Sequence, residues 1–507
     1  MEQPPSRWLP NIRYGLVTIL GISLLVAAIG TRAWPLAGDA ALMHYVVFLL
    51  RGGAAPYRQV IDINLPGSYL FEASGMALFG TGALGLRLYD WLLMACVAAG
   101  ALGCTGRKRW FAATFAGLFF ALVHLQDGVA QQGQRDLLLA ALLLCGLGAL
   151  RLILQGTRHS LMASLAFGLA FGVSFTIKPV LLPLAVALLI IGLARSNILH
   201  SAAPLAVAIF GLLSPSLVAI GWLFHQGVWS SFLWTLRSLL PLHAALGRRP
   251  IGFLLVHSFS PVGVLLLLTI LVMVLGRGRF LDGKLVLATA FVGTLIAYGL
   301  QGKAYPYQRY PFVAVLLVAI GLVLDRSLDT PGKARVLAYV MVCWAACLGV
   351  YFAWRSVRFD PQTPFVAALS TQLQIFGTAE SLAGQVQCLD TFGGCVNTLY
   401  DLQIRQSTGF LYDCYLFTDA SRTRDEYRER FWAAFQSAKP RLVVLSSQNC
   451  FKDFSTGYDR VSTWPAFDGE LHQQYHEVGR WTPSGPVSWF SQKGMPFGFR
   501  LFLRNGS

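Results

Sequence analysis

Eleven apolar runs dominate residues 1–354, and most of them are long enough to cross a membrane as a helix. Their approximate limits are 13–30, 83–103, 111–125, 135–154, 160–177, 179–195, 201–224, 255–275, 284–300, 311–325 and 334–353. The pattern therefore predicts an α-helical, polytopic membrane protein with about eleven transmembrane helices.

The chain changes character after Trp354. Up to that residue it carries 25 Lys and Arg against 10 Asp and Glu, whereas residues 355–507 carry 15 against 14 and lack long apolar runs. We therefore predict two domains, a transmembrane domain at 1–354 and a separate domain at 355–507. The basic excess lies in the loops of the membrane part, so it favours lipid head groups or phosphates as partners and argues against nucleic acid.

The distribution of basic residues between alternate loops predicts the orientation. One set of short loops holds 14 Lys and Arg and the opposite set holds 10, so the richer set, with the N-terminus, is expected in the cytoplasm. The first apolar run follows Arg7 and Arg13 without a small-residue cleavage site, which is typical of a signal anchor. We expect a bacterial inner (plasma) membrane protein whose domain at 355–507 is periplasmic or extracellular.

The parts expected outside the cytoplasm have their own helices and strands. The first outer loop contains amphipathic pieces at 40–50 and 69–79, predicted to be helices lying at the membrane interface. In the tail, a helical stretch ends near Pro440, and the strand-like segments RLVVLSS and GFRLFLR follow. This order predicts a small α/β domain.

Four cysteines fall in the tail. They are Cys388, Cys395, Cys414 and Cys450. In a domain outside the cytoplasm they permit two disulfides, with three possible pairings, although free buried thiols are an equal alternative.

Five acidic residues of the membrane part fall on the predicted outer side. They are Asp39, Asp62, Glu72, Asp127 and Asp136. A general base or metal ligand acting on that side must come from this set or from the tail. Asp39 is the first choice as a general base, because it lies just beyond the first span where a helix begins. The alternative is that Asp39 only caps that helix.

Further charged residues stand at the outer ends of predicted spans. Arg135 and Asp136 begin the fourth span in the stretch GQRDLLLA. They form either a simple ion pair at a helix start, or a carboxylate that orients an acceptor or metal beside a cation facing a phosphate. Lys178 ends the fifth span in FTIKPVLLP, where snorkelling to the surface is one explanation for a lysine.

The segment QGKAYPYQRYP at 301–311 combines Gln301, Lys303, Arg309 and three tyrosines, including Tyr307. Tyrosines at a membrane interface are commonly belt residues, but two cations with a glutamine favour a phosphate clamp. The chain shows no Walker A sequence and no convincing nucleotide fingerprint. A reaction on the outer face would therefore need a lipid-bound activated donor.

The order of these segments resembles the C-type (GT-C) glycosyltransferases, in the group of protein O-mannosyltransferases and lipid A aminoarabinose transferases. The resemblance covers roughly residues 10–350 and is carried by GDAALMHYVVFLLRGGAAPYRQVIDINLPGSY, GQRDLLLA, IKP at 178 and QGKAYPYQRYP. It implies a hexosyl or pentosyl transferase that takes its sugar from a polyprenyl-phosphate donor on the non-cytoplasmic face. The anomeric centre would invert, and the acceptor would be a lipid, a glycan or a protein.

The resemblance also implies roles for individual residues. Asp39 would deprotonate the acceptor hydroxyl, with Asp62 and Asp136 as the other acidic residues of the catalytic site. Lys178, Lys303 and Arg309 would hold the carrier phosphate. The full substrate- and phosphate-binding set is Asn64, Arg135, Lys178, Gln301, Lys303, Tyr307 and Arg309.

Two departures from the family pattern concern the use of a metal. Some relatives have Glu-Lys-Pro-Pro where this chain has Asn-Leu-Pro-Gly at 64–67, and some have a second acidic residue where Ala40 follows Asp39. No cofactor is certain from the sequence, and a divalent cation such as Mg²⁺ or Mn²⁺ stays an open alternative.

Two other functions compete with transfer. One is a transporter or flippase of lipid-linked sugars, which typically shows internal repeats and mid-membrane charges. Here only Asp90 and Arg87 lie deep in a span. The other is a non-catalytic membrane assembly subunit, in which Asp39 would be dispensable.

Overall fold

The computed structural model describes residues 9–156, 159–196, 198–199, 201–275, 284–358, 363–391, 393–448, 457–483 and 497–506. In chain order the helices up to residue 358 are α1 (Leu9–Thr31), α2 (Gly38–Arg51), α3 (Pro66–Phe79), α4 (Ala83–Thr105), α5 (Trp110–Gln126), α6 (Arg135–Leu154), α7 (Ser160–Ile177), α8 (Leu182–Arg195), α9 (Ala202–His225), α10 (Trp229–Trp234), α11 (Leu240–Ala245), α12 (Ile251–Phe259), α13 (Gly263–Leu275), α14 (Lys284–Gln301), α15 (Tyr310–Asp329) and α16 (Lys333–Arg358). Each predicted apolar run coincides with one of these helices or, at 255–275, with the pair α12 and α13.

Within the described ranges, seven helices are long and apolar enough to cross a membrane. They are α1, α4, α6, α7, α9, α15 and α16. The pair α12 and α13 adds an eighth span if it counts as one, but its two halves meet at an angle of 81°. The chain is an integral membrane protein, whereas a total of eleven crossings stays a prediction because α5, α8 and α14 are not among the long spans.

The centre of the helix bundle is formed by α5, α6 and α15. In α15, 83% of the apolar window is buried by protein, and in α6 the fraction is 72%, whereas in α9 it is 17%. Helix α5 is buried along nearly its whole length. The N-terminal ends of α6 and α15 therefore lie towards the middle of one face of the bundle rather than at its rim.

The first outer loop contains two helices, as predicted, but α2 does not lie exposed at an interface. Residues 40–47 are all buried, and α2 packs on a helix of the tail. Its sequence is apolar on nearly every face, which suits a helix enclosed by protein rather than one with a solvent-exposed face. Helix α3 lies directly on the C-terminal end of α7, where Gly67 is required because a Cβ atom would collide with Thr176.

The tail combines helices with one small mixed sheet, and its separation from the helix bundle as a domain stays a prediction. Its helices are α17 (Pro364–Phe376), α18 (Ala379–Leu382), α19 (Cys395–Asp401), α20 (Arg422–Ala438) and α21 (Pro465–Gln474), and its strands are β1 (Val386–Leu389), β2 (Leu442–Ser446), β3 (Tyr475–Trp481) and β4 (Phe499–Arg504). The strand order is β1-β2-β4-β3, with β1 and β2 parallel and the other pairs antiparallel. The boundary predicted at 354 falls inside α16, which continues to Arg358.

A disulfide joins Cys388 to Cys395, and Cys414 is disulfide-bonded as well. The bond between Cys388 and Cys395 links β1 to the first residue of α19. Cys450 lies outside the described residues.

The tail and the first outer loop share one core. Ile61 pairs with Phe410 as an isolated β-bridge, and the Tyr45 hydroxyl donates to the Ile404 carbonyl at 3.1 Å. The Asn397 amide donates to the Leu36 carbonyl at 2.9 Å. These contacts bring residues near 410 to the loop that contains Asp39.

Candidate active site

Asp39 lies in the first turn of α2, opposite the first turn of α6. Gly38 has φ +59°, a left-handed conformation that glycine adopts at little cost, and the chain turns there into the helix. The N-cap residue is Ala37, without a side-chain cap, so the capping alternative for Asp39 is not what the structure shows. Arg135 Nη2 donates to Asp39 Oδ2 at 3.2 Å. Asp39 is 22% exposed, and its Oδ1 has no hydrogen-bond partner among the described residues.

Arg135 connects Asp39 to the second part of the first loop. Its Nη1 donates to the side-chain oxygen of Asn64, and the Asn64 amide donates to both oxygens of Asp62 at 2.9 and 3.0 Å. The Arg135 guanidinium and the Asn64 amide thus connect Asp39 to Asp62 through a continuous chain of hydrogen bonds.

Asp62 is completely buried and its carboxylate is saturated with donors. Besides Asn64, it accepts from Ile63 N at 2.8 Å, from the Tyr69 hydroxyl at 2.9 Å and from the Tyr412 hydroxyl at 2.6 Å. With four donors on its two oxygens, this carboxylate has no oxygen left unengaged, unlike that of Asp136 described below. These contacts place Asp62 behind Asn64, and its predicted catalytic role stays a prediction.

Lys178 and Asp136 form a second ion pair beside the first. The residue before a proline is restricted to extended conformations, and Lys178, before Pro179, has φ −149° and ψ 122°. It leaves the axis of α7 there, and its Nζ lies 2.5 Å from Asp136 Oδ2 and 3.2 Å from Gln301 Oε1. Burial lowers the pKa of Lys178, and the neighbouring Asp136 opposes that shift. Tyr307 places its ring 5.4 Å from the ammonium.

Asp136 has one unused oxygen. Its side chain is fully buried, and Oδ1 has no hydrogen-bond partner in the described part of the chain. A buried acceptor without a donor is costly, so this atom is suited to accept from a bound substrate. The cation facing it is Lys178, and no described contact joins Asp136 to Arg135, its neighbour in the sequence.

Lys303 approaches the same place from the segment after α14. Its Nζ lies 2.7 Å from His243 Nε2, and His243 Nδ1 lies 2.9 Å from the Tyr415 hydroxyl. Burial and then Lys178 lower the pKa of Lys303 to about 7, with Arg248 acting in the same direction and Asp39 opposing. Burial and then Lys303 hold the pKa of His243 well below its usual value, so the imidazole is neutral. Positive charge therefore exceeds negative charge around Lys303.

Arg309, predicted to clamp the phosphate with Lys303, belongs to a different buried group. Its Nη2 contacts both oxygens of Asp127 at 2.7 and 3.0 Å, and its Nη1 donates to the His257 carbonyl at 2.9 Å. Glu72, another of the outer acidic residues, is likewise paired internally, 2.5 Å from His44. The described contacts of Arg309 therefore support an architectural role.

We expect Arg309→Ala to destabilise the protein rather than to affect its ligand site. Removing one partner of a buried ion pair costs about 3–5 kcal/mol, because the other charge stays buried. A clear drop in the thermal unfolding midpoint in detergent would report it. Arg480→Ala, which breaks the exposed pair with Glu477, is the control and should change the midpoint little. Equal midpoints for both variants would contradict the role.

Three residues that contact the candidate site have no motif in the sequence. They are His243, Tyr412 and Tyr415. Lone histidines and tyrosines between apolar runs carry no spacing signal, and the tail has no catalytic signature. Their contacts with the site span 60 residues for His243 to Lys303 and 350 residues for Tyr412 to Asp62.

Metal ligation has no clear place in this arrangement. Among the residues that the structure describes, no three His, Cys, Asp or Glu side chains lie together as a metal site. Asp39 and Asp136 instead each face a cation, Arg135 and Lys178 respectively.

No protein-family model and no curated protein matches the sequence. Solved structures do match its fold. ArnT from Cupriavidus metallidurans, bound to undecaprenyl phosphate, matches with a TM-score of 0.57 at 14% identity over 96% of this chain and 97% of that chain. An oligosaccharyltransferase from Archaeoglobus fulgidus, tethered with an acceptor peptide, matches with a TM-score of 0.50 at 13% identity over 94% of this chain and 74% of that chain.

Both of these proteins are C-type glycosyltransferases. The fold of this chain is therefore the GT-C fold, and the predicted resemblance is confirmed at the level of the fold. The match extends beyond the helix bundle, since 96% of the chain includes most of the tail domain.

Proposed function

We propose that this protein is an inverting glycosyltransferase that moves a sugar from a polyprenyl-phosphate donor to an acceptor hydroxyl on the non-cytoplasmic face. The observation that carries the proposal is the position of Asp39. Its partly exposed carboxylate, with one oxygen unengaged by described residues, shares one cluster with the buried Lys303 and the half-buried Lys178. The acceptor is a lipid, a glycan or a protein.

The arrangement divides the reaction between two groups of side chains. Asp39 takes the proton from the acceptor hydroxyl while the hydroxyl oxygen attacks the anomeric carbon. The bond from that carbon to the phosphate oxygen breaks, and the lipid phosphate leaves with the electron pair. Lys178 and Lys303 stabilise the charge that develops on the phosphate. Arg135 keeps Asp39 oriented and contributes a further positive charge.

Inversion follows from placing the base and the leaving group on opposite sides of the sugar. The two cations reach the site from the ends of α7 and α14, whereas Asp39 reaches it from α2. Asp136, between them, offers its free Oδ1 to a hydroxyl of the sugar or of the acceptor.

The donor class is supported by the lipid in a structural neighbour. ArnT, which has the same fold, was solved with undecaprenyl phosphate. Basic residues in a membrane site are the chemistry that such a ligand requires. We also propose, from the distribution of Lys and Arg between alternate loops, that the site and the tail lie on the periplasmic or external side. A reporter fused after Ser507 would test this orientation.

A deletion strain tests the proposed function directly. We expect mass spectrometry of surface lipids and glycans to show the loss of one sugar modification and the accumulation of its polyprenyl-phosphate donor. The wild-type protein should restore the modification, and Asp39→Asn should not. Restoration by the Asn variant would instead favour a transporter or an assembly subunit, neither of which needs a base.

A further inference from the structure

A polar cavity lies close to Asp39, between the first outer loop and the tail. Its volume is about 320 Å³, and its walls include the segment 35–36, the segment 81–83 at the start of α4, and Asn397, Tyr400 and Asp401 of α19. We propose that this α4–α19 cavity binds one neutral sugar unit of the acceptor, so that the acceptor is a carbohydrate.

The α4–α19 cavity lies on the side of the proposed base. Leu36 precedes Asp39 by three residues, so their Cα atoms are at most about 11 Å apart. The described lining includes neither Lys178 nor Lys303, the proposed phosphate ligands. A sugar bound here is therefore placed to act as acceptor rather than as donor, and this part of the proposal rests on the proposed function.

Two hydrogen bonds fix the walls of the cavity relative to one another. The Asn397 amide donates to the Leu36 carbonyl at 2.9 Å, which joins α19 to the segment that precedes α2. The Tyr400 hydroxyl donates to the Thr81 carbonyl at 2.7 Å, which joins α19 to the segment that begins α4. The cavity is thus largely formed before a ligand arrives, as is usual for binding sites of small molecules.

Asn397 presents an unused acceptor in this cavity. Its side chain is 7% exposed, and its Oδ1 has no hydrogen-bond partner among the described residues. The amide nitrogen already donates to Leu36, so exchanging the nitrogen and the oxygen would break that bond. A buried acceptor without a donor is costly, and a ligand hydroxyl that donates to Oδ1 removes the cost.

The start of α4 supplies the opposite polarity. Helix α4 begins at Ala83 with Gly82 as its N-cap and without a side-chain cap. The first N–H groups of a helix have no partner within the helix, so they can donate to a ligand. The cavity therefore combines backbone donors with the amide acceptor of Asn397, and a hydroxyl group is both a donor and an acceptor.

The charges of the lining disfavour an ionic ligand. Among the described lining residues there is no Lys or Arg, and Asp401 is the one carboxylate. A phosphate would lack a cationic partner, and an ammonium would face the positive end of the α4 dipole. A volume of about 320 Å³ lies at the lower end of the range for ligand pockets, which suits one sugar ring.

Ligand-observed NMR on the full-length protein in nanodiscs tests the cavity. The probes are the methyl glycosides of glucose, galactose, mannose and N-acetylglucosamine, with inorganic phosphate and ethanolamine as charged comparisons. Ala83→Trp fills the cavity without removing a side-chain hydrogen bond. Leu84→Trp is the matched control, because Leu84 is the next residue of α4, is 65% exposed and does not line the cavity. Asn397→Leu removes the unused acceptor.

We expect the wild type to bind at least one of the glycosides and neither of the charged probes. Ala83→Trp should abolish this binding, and Leu84→Trp should bind within about twofold of the wild type. Asn397→Leu should bind about tenfold more weakly, because one buried hydrogen bond to the ligand is lost. A wild type that binds none of the glycosides, or binds only phosphate or ethanolamine, would overturn the sugar site. Equal binding by Ala83→Trp would overturn it as well.

The deletion strain tests the role of this cavity in acceptor binding. Ala83→Trp should restore less than about a tenth of the lost modification while binding undecaprenyl phosphate within about twofold of the wild type. Leu84→Trp should restore the modification fully. Full restoration by Ala83→Trp would overturn the acceptor role. A deletion strain that loses no sugar modification would overturn the proposed function and with it the acceptor role, whereas glycoside binding tests the cavity independently.

Discussion

Asp39→Asn is expected to lower sugar transfer by about 10²–10⁴-fold, the range that a positioned general base contributes. The amide is nearly isosteric with the carboxylate and can still accept from Arg135 Nη2, so the packing between α2 and α6 is kept. It cannot take up a proton at neutral pH, so the acceptor hydroxyl stays a weak nucleophile. The measurement is the initial rate of transfer from the lipid-linked donor, with undecaprenyl phosphate affinity determined in parallel.

Asp325→Asn is the control for this substitution. Asp325 also pairs with arginines, at 2.9 Å to Arg13 and 3.0 Å to Arg109, and lies near the end of α15 remote from the site. It should lower stability but leave the rate per folded molecule unchanged. Transfer by Asp39→Asn within a few-fold of the wild type would rule out Asp39 as the base.

Lys303→Ala should weaken the binding of undecaprenyl phosphate by about 10²-fold, because a buried charge-assisted contact to the phosphate is lost. The wild-type affinity should also depend on pH. Since the pKa of Lys303 is about 7 in the empty site, the ammonium is largely formed below pH 7 and largely absent above it. A bound phosphate raises that pKa, so binding above pH 7 takes up a proton.

The sign of the effect is therefore a loss of affinity as the pH rises above 7, by up to about tenfold per pH unit. The second pKa of a phosphate monoester is about 6, so the ligand itself is already mostly dianionic in this range and does not cause the loss. Lys303→Arg keeps a permanent charge and should give a flat profile above pH 7. A flat profile for the wild type between pH 7 and pH 9 would contradict the assignment.

The secondary structure was largely predictable from local pattern. The helix α20 followed by the strand β2 appears where a charged amphipathic stretch, a proline and a short apolar run follow one another. All eleven apolar runs are helical for the same reason. What the pattern could not predict is which helices are enclosed, because the covering of α2 comes from α3 and from a helix of the tail more than 300 residues away.

The residues of the candidate site that could be predicted are charged residues that stand next to apolar segments. Asp39, Arg135, Lys178 and Lys303 stand out as ionised residues at the ends of apolar segments, and the structure gathers all four. Arg309 has the same sequence signal but pairs with Asp127, which is 182 residues away. A charged residue at the end of an apolar segment can be recognised in the sequence, but the residue with which it pairs cannot.

The sequence by itself therefore determined the membrane class, the helices, the α/β tail and the chemical nature of the site, since hydrophobic periodicity and the cost of burying charge act over a few residues at a time. Only the tertiary structure decided which carboxylate is exposed and which is saturated, which cation pairs with which acid, and that residues of the tail contact this cluster. Those outcomes depend on contacts between residues hundreds of positions apart, such as Tyr412 with Asp62 and Tyr415 with His243, and no local pattern encodes them.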